Sequence, residues 1–390
     1  MNSGDSMNNI IYLDNNATTK VDEEVFNAML PYLKENYGNP SSIYNFGKNE
    51  KEVIEKSRSI IAGYINANND EVVFTSCASE SNCTAIMSAI KTNQDKKHII
   101  TTMVEHSSIL ETMKYLESIG YKITYLKVDK NGKIDLKELE AAIDIDTLLV
   151  TIMLANNEIG NIYPIKDISK ITQKNNILFH VDGVQAVGKI KIDVKDLGID
   201  MFSMSGHKIH GPKGIGVLYI KNNTPFTPLI FGHQENNKRG GTENVPYIVG
   251  LGKAFEILKD NDKEIYKIKS LRDKLEQELL SNISDVKIYG DLENRLPNTT
   301  NIAFNGIKGE ELLLMLESNN IYVSTGSACN SYDISPSHVL VALDVDLQNS
   351  SPIRISLSKY TTKQEIDLFI KKIINIINML RKRNKYESIN

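Results

Sequence analysis

Cysteine is scarce in this chain of 390 residues, which contains no tryptophan and only three cysteines. The three are Cys77, Cys83 and Cys329. They are too few for a disulfide framework, and their separations do not match the ligand spacing of a zinc site. The chain must therefore fold around hydrophobic cores, for which its length is ample.

Long apolar runs and an excess of one charge are also missing. The longest apolar run, LLVTIMLA at 148–155, is far shorter than the roughly 20 residues that span a bilayer. The 45 basic and 49 acidic residues leave a net charge of −4, which gives no electrostatic reason to expect binding to nucleic acid or a membrane. The N-terminal MNSGDSMNN lacks the charged-then-apolar pattern of a secretory signal, so we expect a cytoplasmic protein.

Short apolar runs alternate with helical patterns through the first part of the chain. We predict seven strands, at 72–75, 98–102, 123–128, 148–154, 177–182, 201–205 and 216–220. Continuous apolar strands separated by helices indicate a mostly parallel sheet that is covered on both faces. The last strand follows its predecessor too closely for a crossover helix, so we predict that it is antiparallel to its neighbour.

The pattern changes after residue 248, where a long charged helix leads into shorter strands and further helices. This predicts a second, smaller α+β domain. We assign residues 16–255 to the large domain, and residues 1–15 together with 256–390 to the small one.

Polar side chains follow five of the predicted strands at their carboxyl ends, where open α/β sheets bind ligands. After the first strand, small polar residues open a helix, whose free N–H groups suit a phosphate. The candidates at the five ends are the small polar residues of SCASESN (76–82), His106, Asn156 and Asn157, Asp182 and Gln185, and Ser205, His207 and Lys208. Each has a structural explanation on its own, such as a rim histidine, an asparagine turn or a helix cap. Together, a phosphate cradle, an imidazole, an amide, a carboxylate and a lysine indicate one site.

This set of groups matches the requirements of pyridoxal 5′-phosphate. The aldehyde of the cofactor needs a lysine for an imine, its phosphate needs a helix N-terminus, and its ring nitrogen needs a carboxylate that keeps it protonated. In the stretch MSGHKIHGPKGIGVLYI at 204–220, Lys208 is the candidate imine lysine. The glycines after it let the loop turn back into a strand.

Seven motifs resemble, in chain order, the NifS/IscS type of cysteine desulfurase: YLDNNATT (12–19), YGNPSS (37–42), ANNEIG (155–160), HVDGVQAVGK (180–189), SGHKIHGPKGIG (205–216), GGTENV (240–245) and STGSAC (324–329). The resemblance implies a class-V aminotransferase relative with the fold type I of pyridoxal phosphate-dependent transferases. Its large domain would hold the seven-stranded sheet and the cofactor, and its small domain the catalytic cysteine loop.

The resemblance also implies an activity. L-cysteine would be converted to L-alanine, and its sulfur would pass to Cys329 as a persulfide for iron–sulfur clusters or tRNA thiolation. The expected partners are a second copy of the chain, in a homodimer, and a sulfur acceptor or iron–sulfur scaffold protein.

Residue roles follow from the same resemblance. Lys208 forms the imine and moves protons, His106 stacks on the ring and serves as acid or base, and Asp182 pairs with the ring nitrogen. Arg354 grips the substrate carboxylate, a task suited to guanidinium geometry. The remaining contacts implied are Gln185 and Asn157 at the phenolic oxygen and substrate, Ala78, Ser79, Ser205 and His207 at the phosphate, and Thr242 from the other subunit.

Cys329 can also be interpreted without the resemblance. It lies in a polar loop of small residues, at 324–337, with little apolar surface to bury it. A thiol with a pKa of about 8.5 is mostly protonated at neutral pH but still strongly nucleophilic. The loop alone favours an ordinary surface thiol, and the resemblance makes it the nucleophile. We interpret Cys77 and Cys83 as small buried side chains.

Some positions depart from the usual family pattern. The phosphate turn reads CASE, with Cys77 in place of a common glycine and Ser79 in place of threonine, and Tyr44 stands where histidine is frequent. Two other functions remain open: another pyridoxal phosphate-dependent lyase on this scaffold, for selenocysteine or cystine, and a silent scaffold for partner binding. The presence of Lys208, Asp182 and Cys329 favours the desulfurase.

Overall fold

The computed structural model describes residues 10–325, 336–347 and 352–387. Its strands are β1 (Ile11–Tyr12), β2 (Val72–Thr75), β3 (His98–Thr102), β4 (Lys122–Leu126), β5 (Thr147–Thr151), β6 (Leu178–Asp182), β7 (Met201–Ser205), β8 (Gly216–Ile220), β9 (Val286–Tyr289), β10 (Thr299–Phe304), β11 (Ile321–Tyr322) and β12 (Ile353–Ser356). Its helices are α1 (Glu23–Lys34), α2 (Asn45–Ile65), α3 (Ala78–Thr92), α4 (Ser107–Ser118), α5 (Leu136–Ala142), α6 (Ile165–Lys174), α7 (Val194–Leu197), α8 (Gln234–Asn237), α9 (Val245–Leu258), α10 (Asp262–Asn282), α11 (Gly309–Glu317), α12 (His338–Ala342) and α13 (Lys363–Glu387).

A seven-stranded sheet forms the centre of the larger part, in the order β2–β8–β7–β6–β5–β3–β4. All neighbouring pairs are parallel except those of β8, which is antiparallel to both β2 and β7. The predicted α/β fold with a mostly parallel sheet is thereby confirmed, as is the reversed direction of the last strand. Because β7 ends only a short loop before β8 begins, the chain can only turn back beside it.

Helices cover both faces of this sheet, and adjacent residues of one strand serve opposite faces. Ile99 and Leu149 belong to one hydrophobic cluster, with α3 and α4. Ile100 and Val150, their next residues, belong to the other, with α2 and α9. Since successive side chains of a strand point to opposite faces, a strand buried on both sides is expected to be mostly apolar.

Two strands end earlier than the sequence indicates: β4 ends at Leu126 and not at residue 128, and β5 ends at Thr151 and not at residue 154. Ile152 and Leu154 nevertheless remain buried. Their N–H groups donate to the carbonyls of His180 and Asp182 at 3.2 and 2.8 Å. The apolar run therefore continues along β6 as a loop that leads to the carboxyl edge of the sheet.

A second core lies around the antiparallel sheet β12–β10–β9 and the parallel pair β1–β11. Ile11 and Leu13 join residues of α10, α11 and α13 in this core, so the first described strand and the last helix pack together. Val339 and Leu340 of α12 pack instead into the core of the large sheet. The predicted division of the chain at 15/16 and 255/256 stays a prediction. In the described ranges, no helix is long and apolar enough to cross a membrane.

Candidate active site

A cavity of about 220 Å³ opens at the carboxyl edge of the seven-stranded sheet. Ten of the twelve predicted site residues line it: Ala78, Ser79, His106, Asn157, Asp182, Gln185, Ser205, His207, Lys208 and Arg354. The other lining residues are Asn16, Ala17, Cys77, Asn82, Ser108, Met153, Ala155 and Val184. The structure thus brings the candidates of five strand ends together, while the chemical role of each stays a prediction.

Asp182 is the last residue of β6 and is almost fully buried. Its Oδ1 accepts from the backbone N–H of Val184 at 2.9 Å, and its Oδ2 accepts from Asn82 Nδ2 at 2.9 Å. Hydrogen bonds donated to a carboxylate favour its charged form. Asp182 is therefore a buried carboxyl group at the cavity with one donor on each oxygen, and it can pair with a cationic group.

The N-terminus of α3 forms another wall. Cys77 precedes the helix in an extended conformation, and Ala78 and Ser79 begin the first turn, where N–H groups lack partners within the helix. Gly216 on β8 lies directly against this turn, and a Cβ on it would come within 2.6 Å of the carbonyl carbon of Cys77. Glycine at this position is what allows β8 to pass behind the turn.

His207 and Lys208 follow β7 in a short 3₁₀ turn. Lys208 Nζ donates to the carbonyl oxygens of Asn16 and Ala17, at 2.6 and 2.7 Å. Burial, followed by the nearby charges of Lys208 and Lys213, lowers the pKa of His207 to about 3. Positive groups thus crowd this side of the cavity.

Gln185 links this lysine to a second one. Its Nε2 donates to the carbonyl of Asn16 at 3.0 Å, and its Oε1 accepts from Lys189 Nζ at 2.7 Å. Burial, followed by repulsion from Lys208 and Arg354, lowers the pKa of Lys189 to about 7. An anion bound in the cavity would relieve this repulsion among the cations.

Arg354 enters the cavity from β12 of the smaller sheet and is 3% exposed. Its Nη1 donates to the carbonyl of Asn157 at 3.1 Å, and its Nη2 to Asp14 Oδ1 at 2.7 Å. Its Nε is buried without a hydrogen-bond partner among the described residues. A buried guanidinium nitrogen with a free N–H suits the carboxylate of a bound ligand.

These groups fit pyridoxal 5′-phosphate. A buried carboxylate, Asp182, is available for a ring nitrogen, and the first turn of α3 with the hydroxyl of Ser205 is available for a phosphate. Lys208 is an amine within the same cavity. Several cationic groups lie near His207, so an anionic ligand such as a phosphate would be attracted to this side of the cavity.

Two predicted residues lie elsewhere. Thr242 is exposed and lines a different cavity, together with Arg239 and Asn244. Its expected role involves a second subunit and stays a prediction. Cys329 lies outside the described residues, and of the serines on either side of it, Ser324 pairs with a residue that lines the cavity. The backbone of Ser324 pairs with that of Arg354, and Ser337 Oγ donates to Glu158 Oε2 at 2.5 Å.

Several lining residues were missed by sequence reasoning. Asn16 and Ala17 belong to the motif YLDNNATT, which carried the resemblance but no predicted role. Asn82 and Ser108 lie one turn inside α3 and at the start of α4. Polar residues there are common as helix caps or exposed groups, so the sequence holds no signal that they face a cavity.

Comparisons with known proteins agree with this geometry. The family described as aminotransferase class-V matches residues 11–369. A cysteine desulfurase of Nostoc sp. (strain PCC 7120) is 48% identical over 382 residues, which cover 97% of this chain and 96% of that relative.

Solved structures give the same result. One described as a NifS-like protein has a TM-score of 0.89 at 42% identity, covering 95% of this chain and 100% of that one. One described as SspA in complex with cysteine has a TM-score of 0.80 at 37% identity, covering 90% and 100%. The predicted relationship is confirmed, and the alternative lyase is not favoured. The chain belongs to the class-V aminotransferase family and, within it, to the cysteine desulfurases of the NifS/IscS type.

Proposed function

We propose that this chain uses pyridoxal 5′-phosphate to convert L-cysteine to L-alanine. The observation that carries the proposal is the meeting of the buried Asp182, the N-terminus of α3 and Lys208 around one cavity. When bound, the cofactor supplies an electron-withdrawing ring that weakens the bonds at the α-carbon of an amino acid. Family membership and the relative described in complex with cysteine support L-cysteine as the substrate.

Two residues of the large sheet serve the chemistry. Asp182, oriented by the N–H groups of Val184 and Asn82, would pair with the protonated ring nitrogen. Lys208 carries protons on its Nζ, which rests on the carbonyls of Asn16 and Ala17. These two carbonyls hold the ammonium group inside the cavity.

Arg354 binds and orients the substrate. Its unpaired Nε is the donor available to a carboxylate, and Asp14 holds the guanidinium plane through Nη2. A fixed plane loses little freedom when the ligand binds, so the orientation of the α-carbon is set by β12.

Cys329 accepts the sulfur in this proposal. Its thiolate forms a bond to the substrate sulfur as the bond from that sulfur to the β-carbon breaks. The electron pair of the broken bond stays with the carbon fragment, which takes up a proton to become alanine, and Cys329 is left as a persulfide. The backbone pairing of Ser324 with Arg354, which lines the cavity, supports this role. We further propose that the sulfur is delivered to an acceptor or scaffold protein, and that the protein is cytoplasmic. The chain would form a homodimer in which Thr242 reaches the partner's site, and its small domain would carry the loop of Cys329.

The test measures both products. Purified protein is incubated with L-cysteine and a reductant, and alanine and sulfide are quantified for the wild type and for Cys329→Ala. We expect equal amounts of the two products from the wild type and neither from the variant. Activity that survives in Cys329→Ala would assign the chain to the direct lyases.

Cys83→Ala is the matched control. Cys83 lies in α3, half-buried, and burial raises the pKa of its thiol. A protonated, partly covered thiol is a poor nucleophile. This variant should therefore keep the activity of the wild type, and a loss equal to that of Cys329→Ala would show that thiol removal in general harms the protein.

A further inference from the structure

A chain of hydrogen bonds joins Asp182 to His106 along one wall of the cavity. Asn82 Nδ2 donates to Asp182 Oδ2 at 2.9 Å and contacts Ser108 Oγ at 3.0 Å. Ser108 Oγ lies 2.9 Å from His106 Nδ1. Asn82 belongs to α3, and His106 and Ser108 lie at the start of α4. The chain therefore connects the carboxylate for the ring nitrogen with the imidazole expected to stack on the ring.

The direction of each bond follows from Asp182. An ionised carboxylate only accepts, so the amide nitrogen of Asn82, and not its oxygen, faces it. The second N–H of that amide then points to Ser108 Oγ, which accepts. Asn82 Oδ1 is buried without a hydrogen-bond partner among the described residues. The orientation of the amide is therefore set by the bond of its Nδ2 to Asp182, and not by any bond of its Oδ1. The hydroxyl of Ser108 keeps its own proton for His106 Nδ1.

His106 Nδ1 receives a second donor. His106 caps α4, and the backbone N–H of Ser108 donates to its Nδ1 at 3.2 Å. A backbone N–H can only donate, so Nδ1 carries no proton in this geometry. Burial acts in the same direction and lowers the pKa of His106, as do the charges of Lys208 and His338, against the attraction of Asp182.

We propose that Ser108, oriented by Asn82, is a positioning residue that fixes His106 as the neutral imidazole with its proton on Nε2. In this form Nε2 can donate a hydrogen bond but has no lone pair with which to take a proton. A neutral imidazole can act as a hydrogen-bond donor at an active site without becoming charged. Proton transfer then falls to Lys208, while His106 stacks and donates. This consequence for turnover rests on the proposed function, but the tautomer does not.

Nitrogen NMR of the full chain labelled with ¹⁵N-histidine measures the tautomer directly. Spectra with and without bound pyridoxal 5′-phosphate report which ring nitrogen carries the proton, and His106→Gln identifies the signals. We expect the proton on Nε2 only. A proton on Nδ1 of His106 in the wild type would overturn the proposal. The cofactor-free spectrum needs no turnover, so a failure of the proposed function would leave this result standing.

Variants test whether Ser108 sets the tautomer. Ser108→Ala removes one of the two donors to Nδ1, and the loss of a net hydrogen bond should raise the share of the other tautomer about fivefold. Ser108→Thr, which keeps a hydroxyl, should restore the ratio of the wild type. Ser107→Ala removes the neighbouring, half-buried serine and should leave the ratio unchanged.

Asn82→Ala provides an independent variant if Ser108→Ala folds poorly. Without the amide, the Ser108 hydroxyl is free to rotate away from Nδ1, so the same shift should appear at smaller size. A purely structural effect of the substitution would not change the tautomer ratio of His106, because a loosened helix does not move the ring proton from Nε2 to Nδ1. An unchanged tautomer ratio in folded Ser108→Ala or Asn82→Ala would overturn the proposal.

Discussion

The seven-stranded and the three-stranded sheet carry their polar residues in different places. Strands of the seven-stranded sheet are mostly apolar and lead into polar groups at their carboxyl ends, as β6 does at Asp182. Strand β12 of the smaller sheet is polar along one face. Its residues Ile353 and Ile355 belong to the second hydrophobic core. Between them Arg354 enters the cavity, and Ser356 Oγ accepts from the N–H of Asn16.

The neighbouring strand β10 follows the same rule. Thr299 Oγ1 accepts from Asn16 Nδ2 at 2.8 Å, and Asn301 Nδ2 donates to the carbonyl of Glu158 at 3.4 Å. Ile302 and Phe304 on the other face join the second core. The small sheet therefore presents a polar face to the large one. The comparison indicates that strand ends of the large sheet carry the chemistry and a strand face of the small sheet carries substrate binding.

The largest effect should come from the strand end of β7. Lys208→Ala removes the only amine proposed for proton transfer, so we expect complete loss of alanine formation and of the borohydride-sensitive visible absorbance of the loaded protein. Lys221→Ala, at the exposed end of β8, is the control and should keep both. Retained absorbance and activity in Lys208→Ala would contradict the proposal that the strand ends of the large sheet carry the chemistry.

A smaller and different effect should come from the face of β12. Arg354→Lys keeps the charge but loses the planar fork, and charged hydrogen bonds contribute about 1.5–3 kcal/mol. We therefore expect KM for L-cysteine to rise about tenfold to a hundredfold, with kcat much less affected. Steady-state kinetics separates the two.

Arg295→Lys is the matched control for this variant. Arg295 is also buried and forms a two-pronged pair with Glu276, at 2.7 Å for each contact, but away from the cavity. It should lower stability and leave KM unchanged. Equal KM changes in both variants, or a fall in kcat alone in Arg354→Lys, would contradict the division between chemistry and binding.

The same division explains what the sequence could predict. Asp182 and Lys208 were found from the residues alone, because parallel strands end at one edge and polar residues there stand out against apolar runs. Arg354 sits in the middle of a short alternating strand, where one polar residue in two is ordinary, and only the resemblance pointed to it. Asn82 and Ser108 depend on how α3 and α4 lie side by side, a packing detail that no local pattern encodes.

The smallest effect concerns stability and not turnover. Glu105, between β3 and His106, is fully buried, and its Oε1 accepts from Thr102 Oγ1 and the N–H of Met153. Its Oε2 has no partner among the described residues. Burial raises the pKa of Glu105 to about 8 from 4.5, more than its hydrogen bonds lower it.

Folding therefore takes up a proton at Glu105 between these two pH values, and the stability of the wild type should fall as pH rises from about 4.5 through about 8. Glu105→Gln cannot ionise, keeps an acceptor for Thr102, and should show a flatter fall in thermal midpoint over this window. Glu111→Gln, on the exposed side of α4, should follow the wild type. Thermal unfolding at several pH values measures these midpoints. Parallel curves for the wild type and Glu105→Gln would mean that Glu105 is ionised in the folded protein throughout this window. The carboxyl edge of the sheet would then carry a second buried charge beside Asp182.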